Sequence, residues 1–243
     1  MRTVTIILSL AVFSLTSLNA QRWGGKKISG NGEITTKSRS TSAYDEIKVA
    51  GNLDVLLVSG SEGKLAIEGE SNLIAYIKTE VNGDVLKIYV EKGYWLKPSN
   101  GKKLMITVPF EDLSKVTMAG AGDIQSSAII KATAFTTGIS GSGDIKLEID
   151  SQNVEGYVTG SGDLTLSGNS ESFECKVTGS GDLNAFDLKS KDVTASVTGS
   201  GDIQVTATSS LKARITGSGD IDYKGNPEKE DKKVSGSGDI TGL

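Results

Sequence analysis

Apolar and polar residues alternate along much of the second half of the chain. From Val177 to Leu183, a period of two places aliphatic residues and glycines on one side and Thr178, Ser180 and Asp182 on the other. A second apolar alternation precedes this one, and polar turn clusters separate the stretches. The pattern predicts short β-strands that each bury one side and expose the other.

One short segment recurs at nearly constant spacing. It reads Gly-Ala-Gly-Asp-Ile at residues 120–124, and Gly-Ser-Gly-Asp followed by Ile or Leu in six later copies. Successive copies lie 18 to 21 residues apart, a step that is too short for independent domains and typical of solenoid coils. The repeated aspartates are Asp123, Asp144, Asp163, Asp182, Asp202, Asp220 and Asp239.

One coil of this length cannot fold alone. About five buried apolar side chains at roughly 2 kcal/mol each do not offset the ordering of about nineteen residues at roughly 1.5 kcal/mol each, so neighbouring coils must stack. Short elements also leave no room for a helical crossover of about a dozen residues. The sequence therefore predicts an all-β fold, a single-stranded parallel β-helix (β-solenoid) with about 19 residues per coil. An antiparallel β-sandwich is the alternative, although it does not explain the strict repeat.

The solenoid is predicted to span residues 44–243, with irregular coils over 44–118 and regular Gly-Ser-Gly-Asp repeats over 119–243. Asn82-Gly83 predicts a tight hairpin turn within the irregular part, with positive φ values at both residues. Residues 226–233 are expected to form a charged surface loop in the last coil. An exposed strand edge is expected at the end of that coil, where a homo-oligomer could form.

The N-terminal residues resemble an export signal. Arg2 precedes an apolar stretch from Val4 to Leu15, and the small residue Ala20 comes just before a polar change. We expect a signal peptide over residues 1–20, with a buried N-terminal strand or an uncleaved anchor as the alternatives, followed by a flexible N-terminal arm over 21–43. The predicted location is the periplasm, the outer-membrane surface or the extracellular space, and no membrane-spanning segment is predicted.

Composition removes several classes of function. The chain has no histidine, which excludes Ser-His-Asp and Cys-His triads and the usual zinc sites. Cys175 is the only cysteine, so no disulfide can form within the chain, and its alternation with apolar neighbours predicts a buried core residue. The net charge of -4, without a long basic run, argues against binding to nucleic acid.

The outward residues of the repeats form the candidate ligand-binding face, here called the Ser/Asp face. Stacked carboxylates repel one another by roughly 1 kcal/mol each even in a water-like dielectric, so something should compensate them. Three interpretations are open: hydrogen bonds from hydroxyls and turn backbone that make the face a scaffold, a cation such as calcium, or recognition of a glycan or another surface polymer. The primary prediction assigns no metal and no cofactor. The Ser/Asp face comprises Ser142, Asp144, Ser161, Asp163, Ser180, Asp182, Ser200, Asp202, Ser218 and Asp220.

The repeats, together with the segment Tyr-Asp-Glu-Ile-Lys-Val-Ala-Gly-Asn-Leu-Asp-Val at residues 44–55, resemble the auto-transporter adhesin family with a head GIN domain. The resemblance covers residues 44–243. It implies a right-handed parallel β-helix outside the cytoplasm, with an adhesive or surface role and no catalytic residues to carry over.

A polysaccharide lyase or hydrolase is the rival class of function, and a purely structural envelope scaffold is a further alternative. A catalytic carboxylate pair needs two different environments, whereas the repeated aspartates are predicted to share one. Arg214 is the sole arginine of the repeats, and the alternation places it on the outward side among ordinary surface positions. Tyr94-Trp95 is the best candidate for an exposed contact to sugar, with a cap over the stack as the alternative. We therefore predict a binding protein rather than an enzyme.

Overall fold

The computed structural model describes residues 25–243, and it is 70% strand and 2% helix. The predicted signal peptide and residues 21–24 lie outside this range. The first half contains β1 (Lys26–Ser29), β2 (Ile34–Ser40), β3 (Glu46–Gly51), β4 (Asp54–Ser59), β5 (Lys64–Glu70), the single-turn helix α1 (Ser71–Ile74), β6 (Ile77–Asn82), β7 (Val85–Val90), β8 (Tyr94–Lys97) and β9 (Met105–Phe110). The second half contains β10 (Lys115–Gly120), β11 (Asp123–Ser126), β12 (Ile130–Gly141), β13 (Asp144–Gly160), β14 (Leu164–Gly179), β15 (Leu183–Gly199), β16 (Ile203–Gly217), β17 (Ile221–Lys224), β18 (Lys229–Gly236) and β19 (Ile240–Gly242).

The repeats stack as parallel coils, which confirms the predicted β-solenoid. There are about 7 turns, with equivalent residues about 19 positions apart. Strands β12 to β16 each pair in parallel with the next, and Gly141 lies opposite Gly160, which in turn lies opposite Gly179. Every strand within the stack thus has hydrogen-bonded neighbours on both sides, about 4.8 Å away.

Inward residues of successive coils form continuous apolar ladders. Ile139, Val158 and Val177 lie opposite one another in neighbouring strands, and all three are completely buried. Phe135 and Phe173 are the largest of the fully buried side chains. Because each coil contributes only a few apolar side chains, burial depends on the coils above and below it.

Glycine is required where the chain turns between the two alternating strands of each coil. Gly160 has a φ of 120°, and a Cβ placed there would lie 2.3 Å from the carbonyl oxygen of Gly141 in the coil below. No other residue type fits this combination of backbone conformation and close approach. The repeated glycine therefore sets the corner of the coil.

The irregular part combines coils with antiparallel strands. Strand β3 pairs in parallel with β10 on one side and β7 on the other, and β4 pairs in the same way with β11 and β9. Strand β5 instead runs antiparallel to β2 and β9. The predicted hairpin joins β6 to β7, but only Gly83 takes a positive φ, at 60°, and Asn82 ends β6. A positive φ at the first turn residue only, here a glycine, is typical of a type II′ turn.

Two strands lie in the range predicted as a flexible arm. Strand β1 pairs with β8, and β2 pairs with β5. The loop between them is held by the buried carboxylate of Glu70, which accepts hydrogen bonds from the backbone N–H groups of Gly32 and Ser99 and from the Ser99 hydroxyl. A polar segment can thus be ordered by strand pairing and one buried acceptor, which hydrophobic patterning does not reveal.

The C-terminal coil is closed by charged residues. The predicted loop over 226–233 is shorter in the structure, because β18 begins at Lys229 and pairs with β16. Glu230 and Lys232 stand opposite the inward residues Leu211 and Ala213. They form an ion pair, with 2.6 Å between Nζ and Oε2, and both hydrogen bond to the hydroxyl of Tyr223. We call Tyr223, Glu230 and Lys232 the C-terminal plug.

No helix within residues 25–243 is long and apolar enough to cross a membrane.

Candidate functional site

The structure brings all ten residues of the Ser/Asp face together. They lie at equivalent positions of five successive coils, and every one of them is exposed. The paired strands place Ile145 opposite Leu164 and Leu164 opposite Leu183, so the preceding aspartates follow the same register. The face is therefore one straight strip along the solenoid.

Three consecutive N–H groups at each corner point toward the coil below. The N–H groups of Ser161 and Gly162 both donate to the carbonyl of Gly141, at 2.8 and 3.1 Å. The third N–H, that of Asp163, donates to Oδ1 of Asp144 at 3.2 Å. The carboxylate thus takes the place of a backbone carbonyl where the chain turns, and this satisfies a donor that the corner would otherwise leave unpaired.

This carboxylate contact repeats along the strip, in line with the scaffold interpretation. The N–H groups of Asp182, Asp202, Asp220 and Asp239 each donate to Oδ1 of the preceding aspartate, at 2.8 to 3.1 Å. Asp144 differs, because its N–H donates to the carbonyl of Gly122 instead. A role in binding is compatible with the scaffold, since each carboxylate has a second oxygen.

The row of aspartates is longer than the sequence repeat suggested. Asp54 lies below Asp123 and accepts its N–H at 3.2 Å. Sequence reasoning missed Asp54 because Gly51-Asn52-Leu53-Asp54 lacks the second glycine of the motif. Asp54 follows Gly51 at the same distance as Asp163 follows Gly160, and this spacing could have identified it. The complete row, here called the Asp row, is Asp54, Asp123, Asp144, Asp163, Asp182, Asp202, Asp220 and Asp239.

The Asp row carries little compensating positive charge. Within residues 25–243 its only ion pair joins Lys103 Nζ to Asp54 Oδ2 at 3.4 Å. In the same range, Oδ2 of Asp163, Asp182 and Asp202 has no hydrogen-bond partner. Asp123 is partly buried, and desolvation together with the charges of Asp54 and Asp144 raises its pKa.

A shallow groove of about 270 Å³ runs beside the centre of the Asp row. Asp163, Asp182 and Asp202 form one wall. Thr165, Asn184 and Gln204, which are the next outward residues of the same strands, form the other. The groove therefore offers carboxylate, hydroxyl and amide groups at the spacing of the coils, a set that can donate to and accept from the hydroxyl groups of a ligand.

A larger polar groove, of about 790 Å³, was not predicted. Its lining includes Asp45, Asp112, Lys131, Asp150 and Glu171, at a different corner of the coils. These residues come from turns that are far apart in the sequence, so no local pattern marked them as one site. Among residues 25–243, no group of three or more Asp, Glu or Cys side chains is arranged to hold a metal ion.

The other residues considered from the sequence have structural surroundings. Cys175 is buried, as predicted, and burial raises the pKa of its thiol. Arg214 pairs with Asp231 on the neighbouring coil. Tyr94 packs against Tyr76 with ring centroids 4.5 Å apart, whereas Trp95 is 57% exposed and lies near the ammonium group of Lys27.

Residues 43–227 match the model of a family described as "Putative auto-transporter adhesin, head GIN domain". The chain belongs to this family. The match covers most of the described solenoid and confirms the resemblance seen in the repeats. Comparison with curated proteins gives no match.

Solved structures from three bacterial species share the fold. A "putative adhesin" of Bacteroides fragilis NCTC 9343 superposes with a TM-score of 0.82 at 24% identity, covering 89% of this chain and 100% of its own. A protein of Parabacteroides distasonis ATCC 8503 named "Putative lipid binding protein" gives 0.73 at 30% identity, covering 90% and 100%. A "putative adhesin" of Parabacteroides merdae ATCC 43184 gives 0.66 at 23% identity, covering 90% and 99%.

Proposed function

We propose that this family member is an exported, non-enzymatic binding protein of the cell envelope that recognises a glycan or another surface polymer along the Ser/Asp face. The proposal rests chiefly on the free second oxygens of stacked carboxylates beside a groove lined by Thr165, Asn184 and Gln204. A ligand made of repeating units can contact several coils at once, and such multivalent contact raises affinity without requiring a deep pocket.

Family membership supports a surface role, and the N-terminal sequence supports export. The names of the solved relatives include adhesin and not an enzyme class. At the centre of the Asp row, Asp163, Asp182 and Asp202 make equivalent contacts, which also disfavours an acid/base pair there.

A glycan array, run with and without calcium, tests the proposal. We expect wild-type protein to bind a subset of polymers, and the triple variant D163N/D182N/D202N to lose that binding. Asparagine keeps an oxygen that can accept the N–H of the next coil, so the variant should fold. The matched control E148Q/E155Q/E174Q removes the same charge from exposed positions outside the groove and should bind normally.

The alternatives give different results. Shortening of an acidic polysaccharide by purified protein would favour a lyase or hydrolase. Loss of folding in D163N/D182N/D202N, with no polymer bound by the wild type, would favour an envelope scaffold. Binding that requires calcium and is lost in the triple variant would add a cation to the same face.

A further inference from the structure

An apolar hollow of about 530 Å³ opens on the outer surface of the irregular coils, away from the Asp row. Its floor is formed where β3 and β7 lie side by side, and space is left there because Ala50 and Gly51 carry little or no side chain. Tyr89, Val90 and Tyr94 line it with aromatic and aliphatic side chains, and all three are only partly buried. Aromatic and aliphatic side chains are thus left open to solvent at a concave site, which is the usual character of a small-ligand site.

Three lysines surround this hollow. Lys48 and Lys87 stand directly opposite each other on β3 and β7, and Lys92 follows β7. Like charges in this position destabilise a sheet unless something neutralises them. Glu46 pairs with Lys48 at 3.0 Å, but within residues 25–243 neither Lys87 nor Lys92 has an ion-pair partner.

Nearby acidic groups are already engaged. The carboxylate of Glu91 pairs with Lys78 at 3.0 Å. Glu80 stands opposite Lys87 on β6, but its carboxylate accepts a hydrogen bond from the Tyr89 hydroxyl and forms no ion pair with Lys87. None of the residues that line the hollow is acidic. An incoming group that is both apolar and negatively charged would therefore complement the lining and the rim together.

We propose that this hollow binds a single-chain anionic amphiphile, a free long-chain carboxylate, with the hydrocarbon chain over Ala50, Val90 and Tyr94 and the carboxylate near Lys87 and Lys92. This site is separate from the Ser/Asp face and does not depend on polymer binding. Both parts of the ligand contribute, because the hydrocarbon leaves water and the charge meets ammonium groups.

Calorimetric titration of the full chain with dodecanoate, below its micelle concentration, tests the proposal. We expect one molecule to bind, with no comparable binding of acetate or of dodecyltrimethylammonium. The variant K87E/K92E should bind dodecanoate at least ten times more weakly. Ala50→Gln, which places a side chain in the hollow without changing charge, should also weaken binding.

Two controls separate this site from general effects. K146E/K189E changes two exposed lysines elsewhere and should bind dodecanoate like the wild type, as should D163N/D182N/D202N. Circular dichroism establishes that each variant is folded, and Ala50→Gln keeps the test valid if K87E/K92E does not fold.

Four results would overturn the proposal. They are no binding of dodecanoate, equal binding by K87E/K92E and wild type, binding only to phosphatidylglycerol vesicles, and a ligand-free dimer that Ala50→Gln converts to monomer. The last two would assign the hollow to a membrane surface or to a second copy of the chain.

Discussion

Asp182 shows how one side chain can serve both the fold and a ligand. Its own N–H donates to Asp163, its Oδ1 accepts the N–H of Asp202, and its second oxygen faces solvent. The hydrogen bond offsets part of the repulsion between stacked carboxylates, because the donor brings partial positive charge between them. The fold therefore holds the carboxylates in line, whatever ligand they meet.

Replacing Asp182 separates these two roles. We expect Asp182→Ala to lower the free energy of unfolding by about 1 kcal/mol, because the N–H of Asp202 loses its acceptor. Asp182→Asn retains an acceptor and should change stability by less than half as much. Urea titration followed by circular dichroism measures both. Equal losses in the two variants would show that charge, not the hydrogen bond, matters for the fold.

Gly156 and Gly160 lie four residues apart and should respond oppositely to alanine. A Cβ at Gly156 would meet only side-chain carbons, the nearest being Phe173 Cε2 at 3.3 Å. We expect Gly156→Ala to stabilise the protein by about 0.5 kcal/mol by restricting the unfolded chain. Gly160→Ala should destabilise it by about 2 kcal/mol, because of its positive φ and the carbonyl of Gly141. Thermal unfolding of Gly156→Ala and Gly160→Ala measures the two effects. A stabilised Gly160→Ala would show that the corner does not require glycine.

Glu70 should make stability depend on pH. Hydrogen bonds from the Ser99 hydroxyl, with the N–H groups of Ser99 and Gly32, lower the pKa of Glu70 against the opposing effect of burial. Because its pKa is lower in the folded protein, Glu70 stabilises the fold above its ordinary pKa and loses this contribution as pH falls toward the folded value.

The variant Glu70→Gln tests this dependence. The difference in melting temperature from wild type should be large at pH 7 and shrink as the pH is lowered below about 4. Glu68→Gln lies two residues away on the same strand and is exposed, so it should leave the profile unchanged. A difference that is the same at both pH values would exclude the ionised carboxylate as its source.

The residue pattern predicted which side chains are exposed better than it predicted their hydrogen-bond partners. The alternation around Ser180 and Asp182 correctly separated exposed from buried residues. It could not show which atom accepts the N–H of Asp202, because that acceptor comes from another coil. Tyr89 and Lys87 were likewise invisible as a site, since the hollow exists only where β7 meets β3.

At the scale of elements, departures from the nineteen-residue step correspond to bulges. The register between β15 and β16 shifts after Ala185, where the step from Asp182 to Asp202 is 20 residues. A longer step of 21 residues separates Asp123 from Asp144, and extra residues lie between Gln125 and Ile130. Irregular spacing thus predicts where a coil bulges, although not which way the bulge points.

Strand β18 offers a direct test of the C-terminal plug. The variant E230L/K232A should extend the apolar ladder of Leu211 and Ala213 to the open end. We expect it to self-associate at micromolar concentration, whereas the wild type remains at a lower oligomeric state, because an uncovered apolar end favours pairing. Sedimentation velocity measures the difference.

The matched control makes the same kind of replacement on the outward side of β14. E174L/K176A should sediment like the wild type, because both side chains are exposed and do not continue the core. Wild-type protein that already associates through this end would instead support the homo-oligomer predicted from the sequence. Equal association of both variants would show that surface charge, and not the plug, controls the edge.

For the whole molecule, the repeat period predicted the fold, but it did not predict the order in which the layers stack. A constant step with alternating parity allows few folds besides stacked coils, so the solenoid could be predicted from residues 119–243 alone. The first half has no such period, and its layers follow a different order from the chain. The coil of β3 and β4 lies inside the stack, while β7 and β9 form the layer outside it.

Removing one whole repeat tests the independence of the layers. Deletion of residues 164–182 joins Asp163 to Leu183 in the same register and should give a folded protein that is one coil shorter. Deletion of residues 164–173 removes about half a coil, breaks the register and should prevent cooperative unfolding. Circular dichroism with thermal melts distinguishes them, and an unfolded 164–182 deletion would show that the coils are not interchangeable.

The position of β3 and β4 between layers formed by later residues has a consequence during synthesis. The first coil to leave the ribosome has no finished surface on either side until β7, β9, β10 and β11 have followed it. Each later repeat can then pair with a coil that is already folded, so it can be added as soon as it leaves the ribosome. Glu230 and Lys232 follow the repeats on which they lie, so their ion pair can form over Leu211 and Ala213 only after those coils have stacked.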